Sequence, residues 1–183
     1  MSRLDGLIRS YGSHISVPWK DDAAPAQRVI ICVYRPEDEL RLRARITELE
    51  LTTRGAGHDW CVFDLTDSLP RWLSAQRYAR RYFQDPQYLP AYLPKYLDAI
   101  GSAFAGFLQE SEAGRNHVVA VMGVGTLFGI LKVREVIDRI APMVEGRLLV
   151  LFPGSLENNN YRLLDGYDGW NYLAVPITAT DDA

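Results

Sequence analysis

The sequence predicts an α/β fold built on a mostly parallel sheet of about five strands. Three observations carry that expectation. Short apolar runs rich in Val and Ile recur along the chain, stretches with helical apolar spacing separate them, and the runs are continuous rather than alternating, as in strands buried on both faces. With 183 residues, 48% of them hydrophobic and 23% charged, the chain has the size and composition of one packed domain.

Taken in order, residues 1–26 read as an N-terminal helix and an extended lead-in (VPWKDDAAPAQ), and Arg28 to Tyr34 as the first buried strand. From Glu37 to about Arg54, Leu42, Ile46 and Leu49 mark one face of a helix that Gly55 and Gly57 stop. Residues 60–65 form the second strand, and Thr66, Asp67 and Ser68 before Pro70 offer the start of another helix. A proline-punctuated, aromatic-rich insertion from Tyr78 to Tyr96 leads into a helix marked by Tyr96, Ile100, Phe104 and Phe107. His117 to Met122 is the third strand, and Gly123 and Gly125 lead into a helix carrying Ile130, Val133, Ile137 and Ile140. Arg147 to Phe152 is the fourth strand, ending at Pro153-Gly154. The polar segment SLENNNYRLLDGYDGWN follows, then a last strand at Tyr172 to Ile177 and a flexible tail at 178–183. Strands alternating with helices in this way give a Rossmann-like three-layer α/β/α sandwich with right-handed crossovers, and residues 1–183 form a single domain.

Composition removes several function classes. Twenty Lys and Arg against 23 Asp and Glu leave a formal charge of −3, so no global positive field draws the chain to nucleic acid or anionic lipid. Cys32 and Cys61 lie inside apolar runs, where a thiol behaves as a small hydrophobe, and two isolated cysteines build neither a disulfide framework nor a zinc site. The N-terminus has no signal-peptide pattern and no apolar run is long enough to span a bilayer, so a cytoplasmic protein is expected.

Ligands of such sheets bind beyond the carboxyl ends of the strands, which directs attention to Arg35, Asp64, Gly123 to Gly125 and the segment after Phe152. Gly123 and Gly125 form a candidate nucleotide or anion site, because glycine amides and a helix N-terminus favour an anion. Against it, Gly129 comes one residue too late for GxGxxG, no Walker lysine follows, and the turn after the first strand has no glycine. Asp64 with Glu157, Asp165 and Asp168 offers metal ligands or an acid–base pair if they converge, whereas Asp64 alone is suited to capping a helix. His14, His58 and His117 are scattered, and neither cysteine has an activating neighbour. No catalytic residue, cofactor or metal is assigned, and the chain is read as non-enzymatic.

Arg77, Arg80 and Arg81 stand among Trp72, Tyr78, Tyr82, Phe83, Tyr88 and Tyr92. The mixture suits a nucleic-acid patch, a protein interface or, for the aromatics, simple core packing.

The segments VVAVMGVGTLFGILKVREVIDRIAPMVEGRLLVLFPG and GRLLVLFPGSLENNNYRLLDGYDGWNYLAVPI are more particular than generic α/β sequence. They resemble the BrxB family, most strongly from about Val118 to Ile177. The resemblance implies a component of a BREX system, a bacterial or archaeal cluster that marks host DNA by adenine methylation and blocks phage. It implies an adaptor beside a large ATPase, an alkaline-phosphatase-like protein and an adenine methyltransferase, with DNA reached only indirectly and no catalytic residues to carry over. Asn158, Asn159, Asn160, Tyr161, Arg162, Trp170, Asn171 and Tyr172 are the expected partner-binding residues, since an asparagine side chain both donates and accepts hydrogen bonds. Asn158 to Asn160 equally suit a turn.

Overall fold

The first helix begins where the sequence supplies its own cap. In the computed structural model, which describes residues 2–20, 22–166 and 170–179, α1 spans Arg3–Ile15. The Asp5 amide donates to the Ser2 hydroxyl at 3.2 Å and the Ser2 amide donates to the Asp5 carboxylate at 2.7 Å, which satisfies donors that a helix start leaves open. Leu4, Leu7, Tyr11 and Ile15 form its buried face.

The strands are β1 (Val29–Tyr34), β2 (Asp59–Asp64), β3 (His117–Met122), β4 (Arg147–Glu157), β5 (Asn160–Leu163), β6 (Trp170–Asn171) and β7 (Val175–Thr178). Between them lie α2 (Glu39–Ala44), α3 (Ile46–Gly55), α4 (Ser68–Ser74), α5 (Ala79–Gln84), α6 (Leu93–Glu110) and α7 (Val133–Ile140). Strands β2-β3-β4-β1-β7 pair in that order, all in parallel. β5 pairs antiparallel with β4, and β6 antiparallel with β5. The protein is thus a mixed α/β chain on a mixed seven-stranded sheet.

All six residues of β1 are buried, because both its edges are paired and apolar side chains cover both its faces. Val29, Ile31 and Val33 join a cluster with Ile100 and Phe104 of α6 and Ile137 of α7. Ile30, Cys32 and Tyr34 join a second cluster with Leu7 and Tyr11 of α1 and Leu49 of α3. Within that second cluster the Tyr11 hydroxyl meets Thr53 Oγ1 at 2.6 Å, and Thr53 Oγ1 donates to the Leu49 carbonyl at 2.8 Å. This buried chain ties α1 to α3. Among the described residues no helix is long and apolar enough to cross a membrane.

Five local expectations are corrected. The helix expected from Glu37 to Arg54 breaks into α2 and α3 at Arg45, whose φ of −111° and ψ of 12° leave helical geometry. The Arg45 guanidinium is held by Glu48 and, at 2.8 Å, by Asp5 of α1. No α-helix opens at Gly123. A 3₁₀ turn covers Val124–Leu127, Gly129 takes a φ of +72°, and α7 starts only at Val133. The fourth strand does not end at Pro153-Gly154 but runs on to Glu157. Gly154 permits this, because a Cβ there would stand 2.0 Å from the Arg162 carbonyl oxygen. Finally, the sheet has seven strands rather than about five, since the segment read as a polar loop contains β5 and β6. The last strand covers Val175–Thr178, so the expected tail at 178–183 begins inside it, and residues 180–183 lie outside the described residues.

Candidate functional site

The extension of β4 past the carboxyl end of the parallel sheet, with β5 and β6, makes a short antiparallel arm. Its register pairs Glu157 with Asn160 and leaves Asn158 and Asn159 as a two-residue loop. Both have positive φ, 50° and 64°, as a two-residue hairpin of the primed type requires. Asparagine tolerates that conformation better than other residues with a Cβ. The asparagines at 158 and 159 therefore have a conformational role, while their side chains remain exposed. Asn160 pairs with Asn171, and Arg162 lies 3.6 Å from Glu157 across the hairpin.

The aromatic residues of the arm face inward. Tyr161 is 2% exposed, and burial pushes its hydroxyl up to about 12. Its ring lies 5.0 Å from Trp170 and 5.8 Å from Phe152, and Tyr172 meets Trp170 edge-on at 5.6 Å. Burial first, and then the negative charge of Asp138, raise the Tyr172 hydroxyl above its ordinary value. Of the expected partner-binding residues, Tyr161 is thus core and Trp170 and Tyr172 are half-buried, whereas Asn158, Asn159, Asn160 and Asn171 present polar groups to solvent.

Against Trp170 lies a groove of about 510 Å³, closed on its other sides by residues 128–133 and by Leu163 and Gly166. Phe128 stands at its rim, 48% exposed, and Leu173, 81% exposed, flanks the arm on its other side. Lys132 and Glu135 add one charge of each sign to the lining. Reading the sequence misses this groove, because Phe128 and Ile130 are expected to lie along a continuous helix. The signal available is Gly129, whose position inside the supposed helix marks a break.

The second candidate, at Gly123 and Gly125, is occupied by its own neighbours. A Cβ at Gly123 would stand 2.6 Å from the Thr66 amide nitrogen and 2.9 Å from Asp64 Oδ1. Asp64 Oδ1 accepts from the Thr66 amide at 2.9 Å and from its hydroxyl. Arg43 Nη2 donates to Thr66 Oγ1 at 2.7 Å, Arg43 Nε donates to Glu39 at 2.7 Å, and Tyr34 donates to Glu39. The structure brings Asp64 to the glycine turn, then, but within a network that joins the carboxyl ends of β1, β2 and β3. Gly125 packs toward Pro153, and the helix dipole expected behind the turn starts instead at Val133.

Glu157 on the arm and exposed Asp165 do not join Asp64, and Asp168 lies outside the described residues. Among the described residues no three His, Cys, Asp or Glu side chains gather as a metal site. Arg35 points its charge toward Glu37 at 3.7 Å. His58 Nδ1 contacts Asn116 Oδ1 at 2.9 Å and stacks on Trp19, and His117 Nδ1 accepts from the Gly114 amide at 3.1 Å. Both precede or open strands at the amino end of the sheet, away from the arm. Burial pushes the Cys32 thiol up, and burial pushes Cys61 up to about 11, so neither is an activated nucleophile. Arg77, Arg80 and Arg81 are exposed on and beside α5. No family model, curated protein or solved structure matches this chain.

Proposed function

We propose that the chain is a non-catalytic adaptor of a BREX-type phage defence complex, acting in the cytoplasm, and that the arm with its groove is the surface it offers to other proteins. The resemblance of residues 118–177 to BrxB proteins supports the identity of the complex and its members: a large ATPase, an alkaline-phosphatase-like protein and an adenine methyltransferase. One observation carries the choice of surface. The groove beside Trp170 combines an apolar floor with exposed Phe128 at its rim and one charge of each sign, Lys132 and Glu135, the composition of an apolar protein-binding hot spot with polar groups at its edge. In this reading the architecture is a Rossmann-like three-layer sandwich whose carboxyl end, the usual place for a ligand, has been given over to the arm.

Co-expression of the tagged chain with those three proteins from one defence cluster, followed by size-exclusion chromatography, tests the proposal. A stoichiometric complex with at least one of them is expected. It should be lost when Phe128→Ser and Leu173→Asp are combined, with the circular dichroism spectrum unchanged because both side chains are exposed. No complex with any of the three overturns the adaptor role. A complex indifferent to the two substitutions overturns the assigned surface.

A further inference from the structure

The connection between β2 and α6 carries a surface that the adaptor reading does not use. From residue 71 to residue 95 the sequence places five cationic side chains against one carboxylate, Asp85, in a chain whose formal charge is −3. Arg77, Arg80 and Arg81 are all exposed, and among the described residues none of them forms an ion pair. Short 3₁₀ turns at Pro86–Tyr88 and Pro90–Tyr92 fold the segment back on α5. Tyr82, the buried residue of α5, anchors it by packing on Tyr92 at 4.6 Å.

That anchoring leaves flat rings outside. Tyr78 is 54% exposed, Phe83 57% and Tyr88 40%. Two of these rings are already interleaved with guanidinium groups, Arg81 over Tyr88 at 4.1 Å and Arg77 over Tyr78 at 5.4 Å, so charge and ring are held side by side. A ligand matched to this face has regularly spaced negative charges and planar groups between them. Folded proteins seat apolar side chains in a recess, and that feature lies at Phe128 and Trp170 instead.

We infer that the face of α5 and its flanking turns binds single-stranded nucleic acid, with phosphates on Arg77, Arg80 and Arg81 and bases stacked on Tyr78, Phe83 and Tyr88. This departs from the expectation that DNA is reached only through partner proteins, and it is independent of the adaptor role.

Fluorescence anisotropy of a labelled oligothymidylate titrated with the full chain tests the inference. Three neutralised phosphates predict that affinity falls about 20-fold between roughly 50 and 200 mM salt. Replacing all three arginines by alanine should abolish binding. Combining Phe83→Ala with Tyr88→Ala should weaken binding at least about tenfold while leaving the salt dependence unchanged, since stacking is not ionic. Thermal melts matching the unaltered chain show that these exposed substitutions leave the fold intact. Absence of binding at low salt overturns the inference. Equal binding of a polyglutamate of the same charge also overturns it and marks an acidic protein surface. Indifference to loss of the rings, with duplex bound as tightly as single strand, overturns it in favour of a general polyanion patch.

Discussion

The ring of Trp170 lies 5.0 Å from that of Tyr161 at an interplanar angle of 30°, and the two close over Phe152 from adjacent strands of the arm. The stack joins the arm to the core that α6 and α7 share with the sheet. Tyr161→Ala should therefore lower stability by about 3 to 5 kcal/mol, the cost of emptying a large aromatic site. A urea titration measures it, and a variant as stable as the parent would show the arm to be independent of the core.

The tip of the arm makes the opposite prediction. With φ of 50° at Asn158 and 64° at Asn159, Asn159→Gly relieves a left-handed residue and should hold or raise stability by a few tenths of a kcal/mol. Asn159→Val places a branched side chain in the same conformation and should cost about 1 to 2 kcal/mol. Thermal melts of the pair separate a turn role from a recognition role. If Asn159→Gly keeps the fold but loses the partner, the side chain itself is recognised.

Gly123 and Gly125 should differ sharply. Gly123→Ala must strain a residue at φ of +78° and displace the Thr66 backbone, and about 2 kcal/mol or more is expected. At Gly125 the nearest atom is Pro153 Cγ at 3.3 Å, so alanine there should cost less. Denaturation midpoints read the difference. Equal costs would mean that the close approach of Gly123 to Asp64 and Thr66 contributes nothing to stability.

Acid should destabilise the N-terminal helix in two stages. Burial, helped by the positive charge of Arg147, lowers the His14 imidazole below its ordinary value. The unfolded chain then binds that proton first, and stability falls as pH drops through about 6.5 toward the folded value. Asp5 is held down to about 2, first by the Ser2 amide and then by the Ser2 hydroxyl and Arg45. Its contribution is present above the ordinary carboxylate range and is lost as pH falls toward 2. His14→Gln should flatten the first stage alone, measured as urea midpoints across the range. An unchanged profile would remove His14 from the account.

Much of the sheet was legible because burial on both faces is a local demand. VIICVY, HVVAVM and RLLVLF can bury a central strand wherever their neighbours come from, and β1, β3 and the first half of β4 lie where those runs stand. The arm was not legible by the same route. Residues 155–163 read as polar loop because their ladder runs to the end of β4 and to Trp170 and Asn171, and their apolar residues bury against a corner of the core rather than a full face. The site followed suit. Asn160 and Tyr161 pair with Asn171 and Trp170, but which of the residues read as partner-binding point inward depended on pairing that periodicity does not encode.

The sequence by itself determined the alternation of strands and helices, the inert setting of its cysteines and the excess of cationic charge between residues 71 and 95, since each depends on neighbours along the chain. Only the tertiary structure decided the order β2-β3-β4-β1-β7, the ion pair that Arg45 makes with Asp5 at the break between α2 and α3, the fit of Gly123 against Asp64 and Thr66, and the groove beside Trp170. Each of these is a contact between segments far apart in sequence, and its free energy belongs to the pair rather than to either partner.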